Sequence, residues 1–107
     1  MTNVLFVCSA NRLRSPTAEQ VFSTWPGVET DSAGLSAGAS VLLSSEQVDW
    51  ADIIFVMEKT HRNKLTRQFR HHLKNKRVIC LDIPDRFAFM DSELVRLLTV
   101  KVGPHLK

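Results

Sequence analysis

A cysteine, an arginine and a serine lie close together near the start of the chain, in the segment CSANRLRS at 8–15. Arg14 follows Cys8 by six positions, and Ser15 comes next. A cysteine thiolate is a strong nucleophile, and the planar guanidinium of arginine binds two oxygens of a phosphate group. The pattern C-x5-R-[ST] therefore predicts a loop that surrounds the non-bridging oxygens of a phosphate and leaves one face open to the sulfur.

The residues on either side of this segment indicate how it is held. NVLFVC at 3–8 is an apolar run typical of a buried strand. In SPTAEQVFSTW at 15–25, Ser15 is a plausible helix N-cap and Pro16 suits the first helical position. The loop then meets a helix N-terminus, whose free N–H groups and dipole attract anions and favour a thiolate at Cys8. The predicted phosphate-binding residues are Ser9, Ala10, Asn11, Arg12, Leu13, Arg14 and Ser15, and Ser15 is also expected to donate to the sulfur.

Strand and helix patterns alternate along the whole chain. This alternation predicts an α/β fold with a parallel sheet covered by helices on both faces, and ligands bind such sheets beyond the carboxyl ends of the strands. The predicted strands are 3–8, 27–34, 52–58 and 77–81, and the predicted helices are 15–25, 44–51, 59–73 and 91–102.

Length and composition are those of an ordinary globular protein. The 107 residues, 44% of them apolar, suit one domain over 1–107 with a single core. Cys8 and Cys80 do not make a disulfide framework, and no stretch resembles a leader or a membrane span, so we expect a reducing, cytoplasmic location. The histidine spacing matches no set of metal ligands, so neither a metal nor a cofactor is predicted.

Basic residues are concentrated in one segment, 59–77, which holds eight Lys or Arg, three His and no acidic residue. Two interpretations stay open. The block either attracts an anionic partner or is the solvated face of a helix whose Leu65, Phe69 and Leu73 pack inward, and the second is favoured. A nucleic-acid partner is not expected, because no set of aromatic side chains for base stacking accompanies the charge.

The segment VLFVCSANRLRSPTAE at 4–19 resembles the phosphate loop of the low-molecular-weight protein tyrosine phosphatases, whose pattern is (V/I)LFVC-x-G-N-x-x-RSP. DSAG at 31–34, WADIIFVME at 50–58 and DIPDRF at 82–87 match further segments of that family in the same order. The resemblance implies a three-layer fold of phosphotyrosine phosphatase I type, with a four-stranded parallel sheet of order 2-1-3-4.

The resemblance also implies roles for individual residues. Cys8 would be the nucleophile, Arg14 the phosphate clamp and Asn11 a residue that shapes the loop. Asp85 falls on the general acid of the family. Chemistry supports a carboxylate here, because one acid can protonate the leaving oxygen and then activate water; Asp82, just after a predicted strand, is the rival.

The departures from the family pattern concern the residues around the pocket. The chain is shorter than the resemblance implies, mainly after Ser36, and Ala10 replaces the loop glycine. The resemblance implies an aromatic wall in the shortened region, and Arg12 and Arg86 add charge near the loop, so we expect a shallower, more basic pocket. The predicted substrate rim consists of Arg12, Arg86 and Phe87, with Arg62 or His61 nearby.

Several functions fit these residues. The sequence predicts a hydrolase that cleaves phosphotyrosine-type or aryl phosphoesters through a cysteinyl-phosphate, acting on a phosphoprotein or a phosphorylated small molecule. One alternative is a phosphoesterase for small nucleotides such as 2′,3′-cyclic nucleotides. Another is a non-catalytic phosphate-binding module. The arsenate reductases share the loop, but they relay oxidation through two further cysteines, whereas only Cys80, predicted buried, remains here.

Overall fold

The computed structural model describes residues 1–106, and its architecture is an α/β sandwich around one parallel sheet. The sheet has four strands in the order β2-β1-β3-β4, and every neighbouring pair is parallel. The fold predicted from the sequence is therefore confirmed. The elements are β1 Thr2–Cys8, α1 Arg14–Phe22, β2 Val28–Gly34, α2 Ser45–Trp50, β3 Ile53–Val56, α3 Lys59–Phe69, β4 Arg77–Cys80 and α4 Ser92–Val102.

β1 occupies the centre of the sheet and carries the cysteine at its carboxyl end. Its last residue, Cys8, is in register with Gly34, the last residue of β2. Val7 is in register with Val56, the last residue of β3. The three strands therefore end at one edge, so the segments that follow them converge there.

The core consists of one apolar layer on each face of the sheet. On one face Phe6 and Phe55 stack with ring centroids 5.5 Å apart, beneath Phe22 of α1 and Leu98 of α4. The other layer contains Leu5, Val7 and Ile54, with Val48 of α2 and Leu65 of α3. Alternate residues of β1 point to opposite faces, so both layers are anchored on the same strand. Among residues 1–106, no helix has the length and hydropathy that a membrane crossing requires.

The start of α1 differs from the prediction. The helix begins at Arg14, and Leu13 takes the N-cap position without a side-chain bond. Ser15 is therefore not the cap; its hydroxyl is within 2.9 Å of the Cys8 sulfur. The reason is positional: Ser15 already lies in the first turn, where its side chain is fully buried against the loop.

The basic helix is also shorter than predicted. α3 ends at Phe69, and a 3₁₀ turn over Arg70–His72 follows it. Leu65 is buried, and Phe69 and Leu73 pack against the same core layer, so the predicted inward face is confirmed. The prediction that Cys80 is buried is wrong, because β4 is an edge strand and the thiol is partly exposed.

Candidate active site

The Cys8 sulfur lies inside the loop that joins β1 to α1. The backbone N–H of Asn11 donates to it over 3.3 Å, and Ser15 Oγ is 2.9 Å away. Asn11 Nδ2 donates to the same Ser15 oxygen over 2.9 Å. Because that oxygen already accepts a hydrogen bond, its own proton is free to be donated to sulfur. The sulfur thus lies beside two hydrogen-bond donors at the N-terminus of α1.

Asn11 gives the loop its curvature. Its φ of 54° is in the left-handed region, which asparagine tolerates better than most residues. Its side chain is held a second time, by a 2.9 Å hydrogen bond from Nδ2 to Ser32 Oγ on β2. Ala10, which stands where the family pattern has glycine, is not among the residues with positive φ. The alanine is therefore accommodated without backbone strain.

A glycine of β2 allows the loop to lie close to the sheet. A Cβ added to Gly34 would be 2.4 Å from the Ser9 carbonyl oxygen and 2.6 Å from the Ala39 Cβ. Only a residue without a side chain fits between these two atoms. The requirement for glycine in DSAG is therefore steric, and the sequence pattern alone did not reveal it.

Arg14 is almost fully buried, with 3% of its surface exposed, beside the loop. Its Nη1 donates to Glu58 Oε2 over 2.6 Å and to the Ile83 carbonyl over 2.7 Å. Its Nε lies 3.7 Å from Asp85 Oδ1. The guanidinium is thus fixed from the segments after β3 and β4, and it faces the same cavity as the thiol.

A cavity of about 200 Å³ opens over the sulfur. Asp85 is at this cavity, whereas Asp82 lines a separate depression with Glu58, Lys59 and Thr60. The geometry therefore favours Asp85 over Asp82 as the acid. Asp82 instead accepts a 3.4 Å hydrogen bond from the Cys80 thiol. The cavity is lined by Cys8, Ala10, Arg12, Leu13, Arg14 and Asp85.

The predicted rim is only partly at the cavity. Arg12 lines the mouth, and its Nη2 donates to the Gly38 carbonyl over 3.2 Å. The placement of Phe87 at the rim is wrong, because its side chain is buried in the core. Arg86 lies over the Phe87 ring, 5.2 Å from its centroid, and does not line the cavity. An apolar side chain next to a loop has more to gain from burial than from solvent contact.

Arg62 is not at the cavity either. It lines a shallow surface depression on α3 together with Arg67 and Arg70. All three belong to the basic segment 59–77, for which the sequence allowed two interpretations: a site for an anionic partner or the solvated face of a helix.

His61 is the functional residue that the sequence reasoning missed. It was expected on the surface or at the rim, but it is 4% exposed and its Nε2 lies 2.9 Å from Ser9 Oγ. Burial lowers the pKa of His61, and the nearby Arg14 guanidinium lowers it further. A signal was present: His61 follows Glu58 by three positions at a helix start, the spacing at which a side chain reaches back to the N-cap backbone.

Within residues 1–106, no three histidine, cysteine or acidic side chains are grouped as a metal site would require. The same residues contain no disulfide, since both cysteines are free.

No protein-family model matches the chain. A curated relative, the protein-arginine-phosphatase of Geobacillus stearothermophilus, is 29% identical over 90 residues that cover 62% of this chain. The chain spans about 61% of the length of that relative. The solved YwlE arginine phosphatase of the same organism is 24% identical, with a TM-score of 0.79 and coverage of 99% of this chain and 93% of that one.

A further solved structure identifies the type of fold. The low-molecular-weight protein tyrosine phosphatase SP-PTP of Streptococcus pyogenes has a TM-score of 0.80 at 19% identity, covering 99% of this chain and 91% of that chain. The chain has the low-molecular-weight protein tyrosine phosphatase fold. Its sequence resemblance to the low-molecular-weight protein tyrosine phosphatases is thereby confirmed.

One neighbour with this phosphatase fold was solved with an anion. The tyrosine phosphatase Wzb of Escherichia coli K30, in complex with phosphate, has a TM-score of 0.78 at 19% identity and covers 96% of this chain and 94% of its own. This neighbour thus binds a phosphate-type anion.

Proposed function

We propose that this protein hydrolyses phosphomonoesters through a cysteinyl-phosphate intermediate. One observation carries the proposal: the Cys8 sulfur, which receives hydrogen bonds from Asn11 and Ser15, shares a cavity with Arg14 and Asp85. A nucleophile, a clamp for the phosphoryl oxygens and a proton donor are thus within one small space. These are the three groups that transfer of a phosphoryl group to sulfur requires.

The first step transfers the phosphoryl group to the protein. The Cys8 thiolate attacks phosphorus, an S–P bond forms, and the bond from phosphorus to the leaving oxygen breaks. Asp85, protonated, gives its proton to that oxygen, so the leaving group departs as an alcohol or a phenol. Arg14 and the N–H groups of the loop hold the remaining oxygens and stabilise the charge that develops on them.

The second step releases phosphate. Asp85, now ionised, takes a proton from a water molecule as that water attacks phosphorus. The S–P bond breaks and Cys8 returns as a thiolate, stabilised by the proton of Ser15. Inorganic phosphate leaves, and the proton on Asp85 restores the starting state, so no oxidant, metal or cofactor takes part in the proposed cycle.

The cavity mouth gives a criterion for the substrate. The exposed guanidinium of Arg12 is the charged group there, apart from Asp85. A cation at this point favours a phosphotyrosine or aryl phosphoester that carries further negative charge, in a phosphoprotein or a small molecule. It disfavours phosphoarginine, whose side chain is itself a guanidine. The substrate of the curated relative, an arginine phosphatase by name, is therefore expected to be a poor one here.

Arg12 also supports a second candidate, a phosphoesterase for small nucleotides, including 2′,3′-cyclic nucleotides. A nucleotide presents an anionic phosphate and a base within a few ångströms, and the charge of Arg12 at the cavity mouth attracts such an anion. A phosphate-binding module without catalysis is the third possibility. It requires the same loop and predicts no turnover.

A substrate panel tests these candidates together. We would measure kcat/KM for an activated aryl phosphate, phosphotyrosine, phosphoarginine, nucleoside monophosphates and 2′,3′-cyclic nucleotides, and trap the intermediate by acid quench. The enzyme would be compared with Cys8→Ser and with Cys80→Ser, which removes the other free thiol. We expect the natural protein and Cys80→Ser to turn over aryl phosphate and phosphotyrosine and to yield a trapped cysteinyl-phosphate. Cys8→Ser should show no turnover and no trapped intermediate.

Other outcomes have distinct meanings. Turnover of nucleotides alone, with the same dependence on Cys8, would support the second candidate. Binding of phosphate without any turnover would leave only the binding module. Turnover that survives Cys8→Ser would overturn the thiolate mechanism altogether.

The proposal also concerns the cellular compartment and the domain organisation of the protein. A thiolate nucleophile must stay reduced, and both cysteines are free, which supports a reducing compartment such as the cytoplasm. We further infer that 1–107 acts as one domain, because a single sheet anchors both apolar layers. Fractionation of cells and a single cooperative unfolding transition would test these two points.

A further inference from the structure

His61 joins the phosphate loop to the start of α3 from a buried position. Its Nε2 lies 2.9 Å from Ser9 Oγ, one residue after the nucleophile. Its Nδ1 accepts a hydrogen bond from the backbone N–H of Glu58 over 3.1 Å. Both ring nitrogens are therefore engaged, one by the phosphate loop and the other by the start of α3.

The second hydrogen bond determines where the ring proton is. A nitrogen that accepts a hydrogen bond carries no proton, so Nδ1 is the bare nitrogen and the neutral ring carries its proton on Nε2. Nε2 then donates to Ser9 Oγ. Burial lowers the pKa of His61 below its ordinary value of 6.5, and Arg14 acts in the same direction, which favours this neutral tautomer at neutral pH.

We infer that His61 is a positioning residue that locks Ser9, and with it the first half of the phosphate loop, to the Glu58 end of α3. Glu58 also binds Arg14 through its carboxylate. One imidazole thus connects the two parts of the proposed phosphate site. It contacts the loop through Ser9, and it contacts Glu58, which in turn binds the Arg14 guanidinium. The inference rests on the proposed role of this loop in binding phosphate.

The lock is sensitive to acid. Protonation of His61 places a hydrogen on Nδ1, so that two donors face each other 3.1 Å apart and the ring has to move away from Glu58. Four charged groups face the ring. Arg14 and Lys64 oppose its protonation, and Glu58 and Asp85 favour it. A ring that leaves Glu58 also releases Ser9, because both hydrogen bonds depend on the same orientation.

Two amide variants separate the functions of the ring nitrogens. The side-chain amide of His61→Gln reaches the position of Nε2 and donates to Ser9, but it supplies no acceptor for the Glu58 N–H. The side-chain oxygen of His61→Asn reaches the position of Nδ1 and accepts from Glu58, but it leaves Ser9 without a partner. Ser9→Ala removes the same hydrogen bond from the loop side and leaves the histidine in place.

The test measures the dissociation constant for inorganic phosphate by calorimetry at pH 7.5, and kcat and KM for an aryl phosphate. Each variant breaks one of the two bonds of the lock, so we expect His61→Gln, His61→Asn and Ser9→Ala each to bind phosphate about three- to tenfold more weakly than the natural protein, the range of one neutral hydrogen bond. The double variant Ser9→Ala/His61→Asn should be no weaker than the weaker single variant, because both changes break the same bond.

A pH series adds a readout that packing alone would not change. The ratio of the dissociation constants of the natural protein and His61→Gln cancels the ionisation of phosphate itself. We expect this ratio to be below one at pH 7.5, where the natural protein keeps both bonds, and to rise by about threefold or more toward pH 5, because only the histidine can be protonated.

The outcomes separate this inference from the function on which it rests. Folding of each variant would be checked by circular dichroism. If the natural protein binds no phosphate, the proposed function fails. If it binds phosphate and His61→Asn and Ser9→Ala bind equally well, or if the pH ratio stays flat or falls, the positioning role of His61 is wrong while the proposed function stands.

Discussion

The guanidinium of Arg14 and the carboxylate of Glu58 form an ion pair across 2.6 Å, in which the arginine is 3% exposed and the glutamate 42% exposed. The pair orients the arginine from behind, while its Nε remains 3.7 Å from Asp85 at the cavity. While no anion is bound, the carboxylate also offsets the charge of the buried guanidinium.

Removal of this carboxylate should destabilise the anion-free protein. In Glu58→Gln the buried Arg14 loses its nearest counter-charge, and we expect the free energy of unfolding to fall by about 1–3 kcal/mol. Saturating phosphate should recover more stability in this variant than in the natural protein, because the anion replaces the missing charge. Thermal unfolding with and without phosphate measures both effects.

The matched control for Glu58→Gln is Glu93→Gln, which breaks the exposed pair with Arg96 on α4. We expect little change there, because solvent screens exposed pairs. Equal phosphate-induced shifts in the melting temperature of Glu58→Gln and the natural protein would contradict the idea that Glu58 balances Arg14.

Asp85 should matter most when the leaving group is poor. We expect Asp85→Asn to lower kcat by about 10²–10⁴ for an alkyl or phenyl phosphate, the range typical of general acid catalysis, and by less for an activated aryl ester whose leaving oxygen needs no proton. Asp82→Asn is the matched control, because Asp82 lines a different depression. Equal losses in the two variants, or a loss independent of the leaving group, would remove Asp85 from its role.

Gly34 should not tolerate a methyl group. An added Cβ would be 2.4 Å from the Ser9 carbonyl oxygen, so Gly34→Ala must displace the phosphate loop or β2. We expect a loss of about 1–3 kcal/mol in stability together with weaker phosphate binding. Gly38→Ala is the control, since nothing lies within 4 Å of a Cβ there. A stable Gly34→Ala protein with normal phosphate affinity would show that the loop is not packed this closely.

Stability should decrease on acidification because of His61. Its pKa is lowered in the folded protein by burial and by Arg14, so below pH 6.5, its ordinary pKa, the unfolded chain binds more protons than the native one. The free energy of unfolding therefore increases with pH in this range and decreases as the pH falls. Urea unfolding at pH 7.5 and pH 5 measures it. His61→Gln should lose less stability than the natural protein between these values, and identical losses would exclude a titrating His61.

Much of the fold and the centre of the site could be predicted from the sequence. Apolar runs of period two and the helix signals fix the alternation of strands and helices, and the segment from Cys8 to Arg14 has few interpretations in that setting. What remained out of reach depends on contacts between distant segments. Ser9 and His61 are 52 positions apart, and no local pattern indicates that a histidine of α3 meets the loop.

Local competition explains the other differences. Ser15 suits an N-cap by residue type, but the buried thiol offers its hydroxyl a partner inside the first turn. Phe87 follows a charged segment and suits a rim, but the space between α1 and α4 takes up its ring. In both cases tertiary packing decided between two roles that the residue type allowed equally.

Cys8 and Asp85, the proposed nucleophile and proton donor, differ in how strongly their surroundings resist local unfolding. The difference comes from the central position of β1. Cys8 ends a strand that is hydrogen-bonded on both sides, so its surroundings open only when the sheet itself comes apart. Asp85 lies in the segment between β4 and α4, which has neither a helix nor a strand around it. Such segments open at low free-energy cost. Local opening around Asp85 should therefore precede the cooperative unfolding of the sheet, and while it lasts the protein still captures phosphate but no longer turns over esters with poor leaving groups.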